Sequence, residues 1–149
     1  MARIKIDLPA TFPFSTQIPV RIQDVNYGGH VGNDAILSIL HEVRIQFLAS
    51  IGYKELDTTT GEGFIMSDVA IAYKGEAFHG DKFDVAVAAG DFSGFGFDFF
   101  YKITALRNEQ TIVIAEAKTG MLCFDYNQHK IARLSAEMKQ RLETGKIEA

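Results

Sequence analysis

A loop-like stretch of ten residues, DVNYGGHVGN from Asp24 to Asn33, collects the side chains best suited to chemistry. Asp24 carries a carboxylate that can act as a base, either directly or through water. Gly28 and Gly29 let the backbone come close to a ligand. The N–H groups around Gly28, Gly29 and His30 precede a predicted helix, whose positive end favours an anion. A base and backbone donors are what attack on a carbonyl carbon requires.

The same side chains have structural interpretations that the sequence leaves open. Asx side chains at a strand end bond their own backbone, which would make Asp24 and Asn26 turn residues. His30 can instead anchor the loop through a hydrogen bond to the backbone, and Asn33 can cap the following helix. Catalysis and loop structure are therefore competing explanations of this stretch.

A long helix is predicted directly after the loop. It begins at Asn33 or Asp34, either of which can cap it, and Gly52 ends it. Its apolar residues cover most of the circumference, which indicates a central helix enclosed by protein. These residues are Ile36, Leu37, Ile39, Leu40, Val43, Phe47 and Leu48.

Alternating apolar and polar residues predict five strands. The first contains Ile18, Val20 and Ile22 and leads into the loop. Four more follow the long helix in a meander, and a short helix is predicted over Leu134 to Leu142 with Ser135 as its cap. The inward faces of the four strands run from Val69 to Tyr73, Phe83 to Ala89, Phe95 to Ile103 and Val113 to Cys123.

Composition narrows the class of protein. With 149 residues, 47% of them hydrophobic, the chain can bury a core, and we expect one domain over residues 1–149. The single cysteine, Cys123, and the lack of a signal-peptide pattern indicate the cytoplasm. A net charge of −4 without a basic block argues against nucleic acid, and no apolar run suggests a membrane. His41, His79 and His129 lack metal-ligand spacing, so we expect neither a metal nor a cofactor.

The order strand, loop, buried helix and four strands resembles the hotdog fold. In this α+β fold one antiparallel sheet of about five strands wraps around a long central helix. Three segments resemble the 4-hydroxybenzoyl-CoA thioesterase-like family. The loop resembles the pattern D-x-D/N-x-x-G-H-V-N-N, residues 40–44 (LHEVR) resemble the helix pattern L-E-E-A-R, and residues 69–81 resemble a strand and a turn that closes with Gly-Asp.

The resemblance implies a thioesterase that hydrolyses an acyl-CoA or acyl-carrier-protein thioester to a free acid and a thiol. Long exposed sheet edges commonly pair with another subunit, so we expect a homodimer or homotetramer. Two other functions stay open. One is a non-catalytic acyl-CoA-binding module, and the other is a hotdog dehydratase or hydratase, in which Asp and His stand five positions apart, whereas Asp24 and His30 are six apart.

The residue roles depend on which branch of the family is compared. In the 4-hydroxybenzoyl-CoA branch the second acidic position of D-x-D is catalytic, and here it is Asn26. Plant acyl-carrier-protein thioesterases are more similar there, since they carry D-x-N and a following histidine. That resemblance implies Asp24 as base, Asn26 as the group that orients water or the carbonyl, and His30 as donor. Their catalytic cysteine corresponds to Ser67, counted back from Tyr73. Further candidates are Glu42 and Asp68 for the carboxylate, and Tyr27, Asn33 and Tyr73 for substrate binding.

Overall fold

One antiparallel sheet and two α-helices make up the computed structural model, which describes residues 2–147. A short 3-10 helix at Ile22–Asp24 precedes the long helix. The elements are β1 (Phe14–Pro19), α1 (Asn33–Ser50), β2 (Glu62–Tyr73), β3 (Lys82–Gly90), β4 (Gly96–Arg107), β5 (Gln110–Asp125), β6 (Lys130–Ile131) and α2 (Ala136–Thr144).

The sheet has the strand order β1-β3-β4-β5-β2, and the two-residue β6 pairs with the end of β5. The predicted meander is confirmed for β3, β4 and β5, which are joined by short connections and pair in sequence order. β2 pairs with the far side of β5, with Tyr73 opposite Ala115. In this order β1 and β2 are the outer strands, at opposite edges of the sheet. The loop and α1 follow β1 and precede β2 in the sequence, so they connect these two edges.

The core lies between α1 and the inner face of the sheet. Leu40, Val43 and Phe47 on the helix are fully buried, as are Phe99 and Tyr101 on β4. The residues that repeat every 3.6 positions on the helix pack here against those that repeat every second position on the strands, because each element buries only one face. The Phe47 ring packs at a centroid distance of 5.7 Å from the Phe99 ring. Truncating such a buried ring to alanine typically destabilises a protein by about 3–5 kcal/mol.

The first strand ends earlier than predicted. Extending it to Ile22 was wrong, since β1 stops at Pro19 and Ile22 is 68% exposed. The amide of Asp24 donates to the carbonyl of Arg21 at 2.9 Å, which closes the 3-10 helix. The Asp24 carboxylate also accepts from the Arg21 amide at 2.9 Å. These local bonds compete with the sheet ladder and turn the chain into the loop.

The long helix has its predicted position, but its cap was wrong. Gly32 is the N-cap residue, and α1 begins at Asn33. At the other end the Tyr53 amide donates to the Leu48 carbonyl at 2.8 Å, and Gly52 has a φ of 85°. Glycine adopts that left-handed conformation without steric strain, so it ends the helix as expected. The helix is not enclosed all round, since Leu37 is 37% exposed.

A β-bulge changes the inward face of β5. Ile103 pairs with Ala115, but Thr104 pairs with Val113, so Ile114 is the extra residue. The prediction that Val113 shares the buried face of Ala115 was therefore wrong, and Ile114 is buried instead, at 2% exposure. Period-2 reasoning cannot locate such an insertion. The predicted cap of α2 is confirmed, since the Ser135 hydroxyl accepts from the Met138 amide at 3.1 Å.

Candidate active site

Asp24 lies at the entrance of the loop with its carboxylate tied to Arg21. The residue is only 5% exposed. Its carboxylate accepts from Nε of Arg21 at 3.3 Å and from Nη2 at 3.2 Å, in addition to the Arg21 amide. This hydrogen-bonded pairing raises the pKa of the Arg21 guanidinium. The Asp24 carbonyl accepts from the Gly32 amide at 3.0 Å, so this residue fixes both ends of the loop.

The middle of the loop is a turn built on Asn26. Its side-chain oxygen accepts from the Gly28 amide at 2.9 Å. The Gly29 amide donates to the Asn26 carbonyl at 3.0 Å, and the Asn26 amide donates to the His30 carbonyl at 2.9 Å. The N–H groups of Gly28 and Gly29, both predicted oxyanion donors, are thus already engaged by Asn26. The backbone N–H of His30 has no acceptor within residues 2–147.

The loop continues into the first turn of α1. The Val31 amide donates to the Ala77 carbonyl at 2.8 Å, which fixes the loop to the turn before β3. The Asn33 side chain accepts from the Asp34 amide at 2.9 Å. The Asn33 amide, like that of His30, donates to no group in the described part of the chain. Two free donors therefore remain at the positive end of the helix dipole.

Tyr73, at the end of β2, contacts this first turn. Its hydroxyl donates to the Asn33 carbonyl at 2.9 Å. Burial raises the pKa of Tyr73, and the nearby negative charge of Asp34 raises it further. The phenol is therefore neutral at physiological pH and keeps its proton for that hydrogen bond. The strand and the helix terminus are held together at this point.

Asp34 is a site residue that sequence reasoning considered only as a helix cap. A groove of about 280 Å³ next to the loop is lined by Asp34 together with Arg21, Gln23, Asp24, Val25, Asn26, Ala35 and Ser38. A second groove, of about 320 Å³, is lined by Asp34 with Asn33, Leu37, Val69, Ile71 and Tyr73. Asp34 is thus the residue that the two grooves share. The sequence signal was an acidic residue in the first helical turn, which also has an ordinary structural explanation.

The structure brings the loop residues together but separates Glu42 and Ser67 from them. Glu42 lines a different groove, between β1 and α1, and accepts from Nε2 of Gln46 at 3.4 Å. Ser67 is the bulged residue of β2, and its hydroxyl donates to the Gly120 carbonyl at 3.2 Å. Neither side chain lines the two grooves that contain Asp34.

Three other predicted residues have distinct surroundings. Tyr27 is fully exposed at the tip of the loop. The His30 imidazole folds back, with Nε2 only 3.3 Å from the position that a Cβ on Gly28 would occupy. The Asp68 carboxylate accepts from Nζ of Lys118 at 2.8 Å, and this contact lowers the pKa of Asp68. Asp68 is therefore an ion-paired residue on β2.

The described residues offer no cluster for a metal. Within residues 2–147 no group of three His, Cys, Asp or Glu side chains is arranged to hold an ion. In the same range no helix combines the length and the apolar character needed to cross a membrane.

A single long helix packed against an antiparallel sheet of this strand order is the architecture of the hotdog fold. The model of the Thioesterase-like superfamily matches residues 20–142. The chain therefore belongs to this superfamily, and the predicted family resemblance is confirmed.

Relatives and solved structures agree with this assignment. A 1,4-dihydroxy-2-naphthoyl-CoA hydrolase from Nostoc punctiforme is 27% identical over 138 residues, which cover 91% of this chain and 90% of that protein. The crystal structure of YbaW, a probable thioesterase from Escherichia coli, has a TM-score of 0.71 at 25% identity, with 87% of this chain and 96% of that chain covered. Slr0204, a 1,4-dihydroxy-2-naphthoyl-CoA thioesterase from Synechocystis, has a TM-score of 0.75 at 21% identity, with 87% and 93% covered. The hotdog fold is confirmed, with six strands rather than about five.

Proposed function

We propose that this protein hydrolyses acyl-CoA thioesters to a free acid and CoA. One observation carries the proposal: the N–H groups of His30, in the loop before α1, and of Asn33, its first residue, donate to no group within residues 2–147, and Asn33 lines a groove together with Asp34 and Tyr73. Hydrolysis of a thioester passes through a tetrahedral oxyanion, which such backbone donors stabilise. Losing one donor of this kind typically lowers kcat by about 100-fold or more.

The loop residues have separate proposed roles. The His30 amide donates to the carbonyl oxygen of the thioester, and the Asn26 carboxamide orients the attacking water. Asp24 holds the loop in this shape through Arg21, because its carboxylate already accepts three hydrogen bonds from that residue. Tyr27 is exposed where it can cover a bound substrate, and Tyr73 fixes the helix terminus through Asn33.

The proposed substrate class is an aromatic acyl-CoA. The relative from Nostoc punctiforme is a hydrolase of 1,4-dihydroxy-2-naphthoyl-CoA. The groove between α1 and β2 has apolar walls from Leu37, Val69 and Ile71, and its volume of about 320 Å³ suits a ring system. An acyl group carried by acyl carrier protein is the alternative. The buried, unpaired Cys123 fits a reducing cytoplasm as the site of action.

A second copy of the chain is proposed to complete the site. The other edge of β2 is bridged at its start, where Leu56 pairs with Gly63. Over residues 65–73 that edge has no partner strand in the described chain, so it offers unpaired backbone groups. Met66 and Val69 on this strand are each 40% exposed, and Val69 lines a groove with the exposed Leu37 of α1. Pairing of two β2 strands would cover this apolar surface and the groove that contains Asp34. A homodimer is the smallest assembly that satisfies this edge, and a homotetramer would be built from two such dimers.

The dimer is tested by sedimentation velocity of the wild type and of Val69→Lys. A buried charge at the strand edge should shift the variant to the monomer, with thiol release reduced in parallel. Leu106→Lys is the matched control, since Leu106 is 68% exposed near the hairpin between β4 and β5. A wild type that sediments as a monomer, or a Val69→Lys variant that stays dimeric, would contradict this interface.

The activity is tested by thiol release from short, medium, long and aromatic acyl-CoAs, including 1,4-dihydroxy-2-naphthoyl-CoA. We expect turnover, with the aromatic thioesters preferred. One observation favours a non-catalytic binding module instead: Asn26 occupies the position of a carboxylate in part of the family. Calorimetric binding of an acyl-CoA without release of CoA would support that module and refute hydrolysis. Turnover confined to an acyl-carrier-protein thioester would correct the carrier and retain the reaction.

A further inference from the structure

We propose that Asp34 is the general base of this site, an assignment that rests on the proposed thioester hydrolysis. Asp34 is the second residue of α1 and is exposed at the helix terminus. It lines both the groove beside the loop and the groove beside β2. Asn33, whose N–H donates to no group within residues 2–147, lines the second of these grooves beside Asp34.

Gly32 brings the Asp34 carboxylate and the Asn26 carboxamide to the same place. A Cβ on Gly32 would lie 2.6 Å from Oδ1 of Asp34 and 3.8 Å from Nδ2 of Asn26. Both side chains therefore lie beside the backbone at residue 32, where the absence of a side chain leaves room for them. A base and a carboxamide on one side of a loop can bind the same water molecule.

The other candidate carboxylates are already engaged. Asp24 is buried and held by Arg21, and Asp68 is paired with Lys118. Glu42 lies in the groove between β1 and α1, where it accepts from Gln46. Asp34 forms no ion pair within residues 2–147, and unlike Glu42 it lines both the groove beside the loop and the groove beside β2. A base needs an oxygen that is free to accept a proton, and Asp34 meets that requirement best.

The step balances with this carboxylate as the only proton acceptor. Asp34 takes one proton from water while the water oxygen bonds to the thioester carbonyl carbon, which forms a tetrahedral oxyanion facing the His30 amide. The oxyanion then re-forms the carbonyl as the carbon–sulfur bond breaks. The departing thiolate takes the proton from the Asp34 carboxylic acid, which restores the carboxylate. The products are a carboxylic acid, which ionises in solution, and the free thiol.

Kinetics of Asp34→Asn, Asp34→Glu and wild type test this role, with Glu143→Gln as the matched control. Glu143 is an exposed carboxylate on α2, so its removal changes net charge equally but leaves the site intact. We expect Asp34→Asn to lower kcat by about 100-fold or more. KM and the affinity for a non-hydrolysable thioether analogue should change by less than about threefold, since the chemical step rather than binding is affected.

Asp34→Ala adds a measurement that a purely structural role would not alter. Formate added at high concentration should restore part of its thiol release, because a small carboxylate can occupy the vacated space and accept the proton. Formate should leave the wild type and Glu143→Gln unchanged.

Two results overturn different proposals. Thiol release by Asp34→Asn at nearly the wild-type rate refutes Asp34 as base but not the proposed hydrolysis. If Asp24→Asn alone then lowers kcat, the base is Asp24 instead. No release by the wild type from any thioester refutes the proposed function, and the role of Asp34 with it.

Discussion

The hydrogen bond between Tyr101 and Thr119 offers a sharp test of how the core is held together. Both residues are fully buried, and the phenol and hydroxyl oxygens are 2.6 Å apart. Burial raises the pKa of the Tyr101 phenol, while the positive charge of Arg44 opposes that increase. The perturbation is Thr119→Val, Tyr101→Phe and the double variant, each of which keeps the size of the side chain and removes a hydroxyl.

The magnitudes follow from what each variant leaves unpaired. Thr119→Val leaves the buried phenol of Tyr101 without a hydrogen-bond partner, which typically costs about 1–3 kcal/mol of stability. Tyr101→Phe should cost more than Thr119→Val, because it leaves the threonine hydroxyl unpaired and also removes the oxygen that faces Arg44. In the double variant neither hydroxyl is present, so no buried polar group is left unpaired. The double variant should therefore lose about as much free energy of unfolding as Tyr101→Phe alone. The expected coupling therefore equals the loss of Thr119→Val, about 1–3 kcal/mol.

Urea unfolding at one fixed protein concentration measures these free energies. A loss of about 2 kcal/mol corresponds to a Tm about 6 °C lower for a chain of this size. Tyr126→Phe is the control, since it removes a phenol that is 38% exposed and donates to the Phe64 carbonyl. Its loss should stay below about 1 kcal/mol, because water replaces the partner. Strictly additive losses in the double variant would refute the coupling, and with it the energetic importance of this bond.

Three further predictions concern stability and reactivity. Gly63→Ala should lower the free energy of unfolding by about 2 kcal/mol, because the new Cβ would lie 2.5 Å from the Glu55 carbonyl oxygen. A Tm equal to that of the wild type would contradict this. Burial raises the pKa of the Cys123 thiol from 9.0 to about 11. Iodoacetamide at pH 8 should therefore alkylate it only in the unfolded protein, and the wild type should lose stability relative to Cys123→Ala as the pH rises from 9 to 11. Ser135→Ala removes the acceptor of the Met138 amide, and an unchanged urea midpoint would disprove the expected loss of about 1 kcal/mol.

The signs of the pH effect follow from proton binding. The folded state holds the Cys123 proton more tightly than the unfolded chain, so its contribution is complete below pH 9 and disappears as the pH approaches about 11. The change in stability from one buried thiol is small, and exposed lysines titrate in the same pH range. Comparison with the alanine variant isolates it, since every other group titrates identically in the two proteins.

Periodicity was sufficient for the elements, because side-chain burial repeats at fixed intervals in helices and strands. The patterns around α1, β3 and β4 predicted those elements, and the loop motif predicted the superfamily. Phe95 was wrongly placed on the inward face of β4, since it precedes the strand and is 45% exposed. The errors arose where local hydrogen bonds replaced the regular pattern. Asp24 closed a 3-10 helix that shortened β1, and one extra residue, Ile114, shifted the inward face of β5.

The pairings of the polar residues could not be obtained from the sequence. Arg44 lies two residues after Glu42 on the same helix, but its Nε donates to Glu55 at 3.2 Å. The catalytic roles of Asp24, Asn26 and His30 remain predictions. Their spacing shows that the groups are near one another, but it does not show which carboxylate is already neutralised by Arg21.

The sequence by itself determined the class of fold, the loop that carries the site and the superfamily. These depend on hydrophobic periodicity and on a local motif of ten residues. Only the tertiary structure decided which donors and acceptors are still free. In the folded chain the amides of Gly28 and Gly29 donate to Asn26 within the loop, and Asp34 lines two grooves. Hydrogen-bond partners are set by three-dimensional proximity over ångström distances, and a one-dimensional pattern does not contain that information.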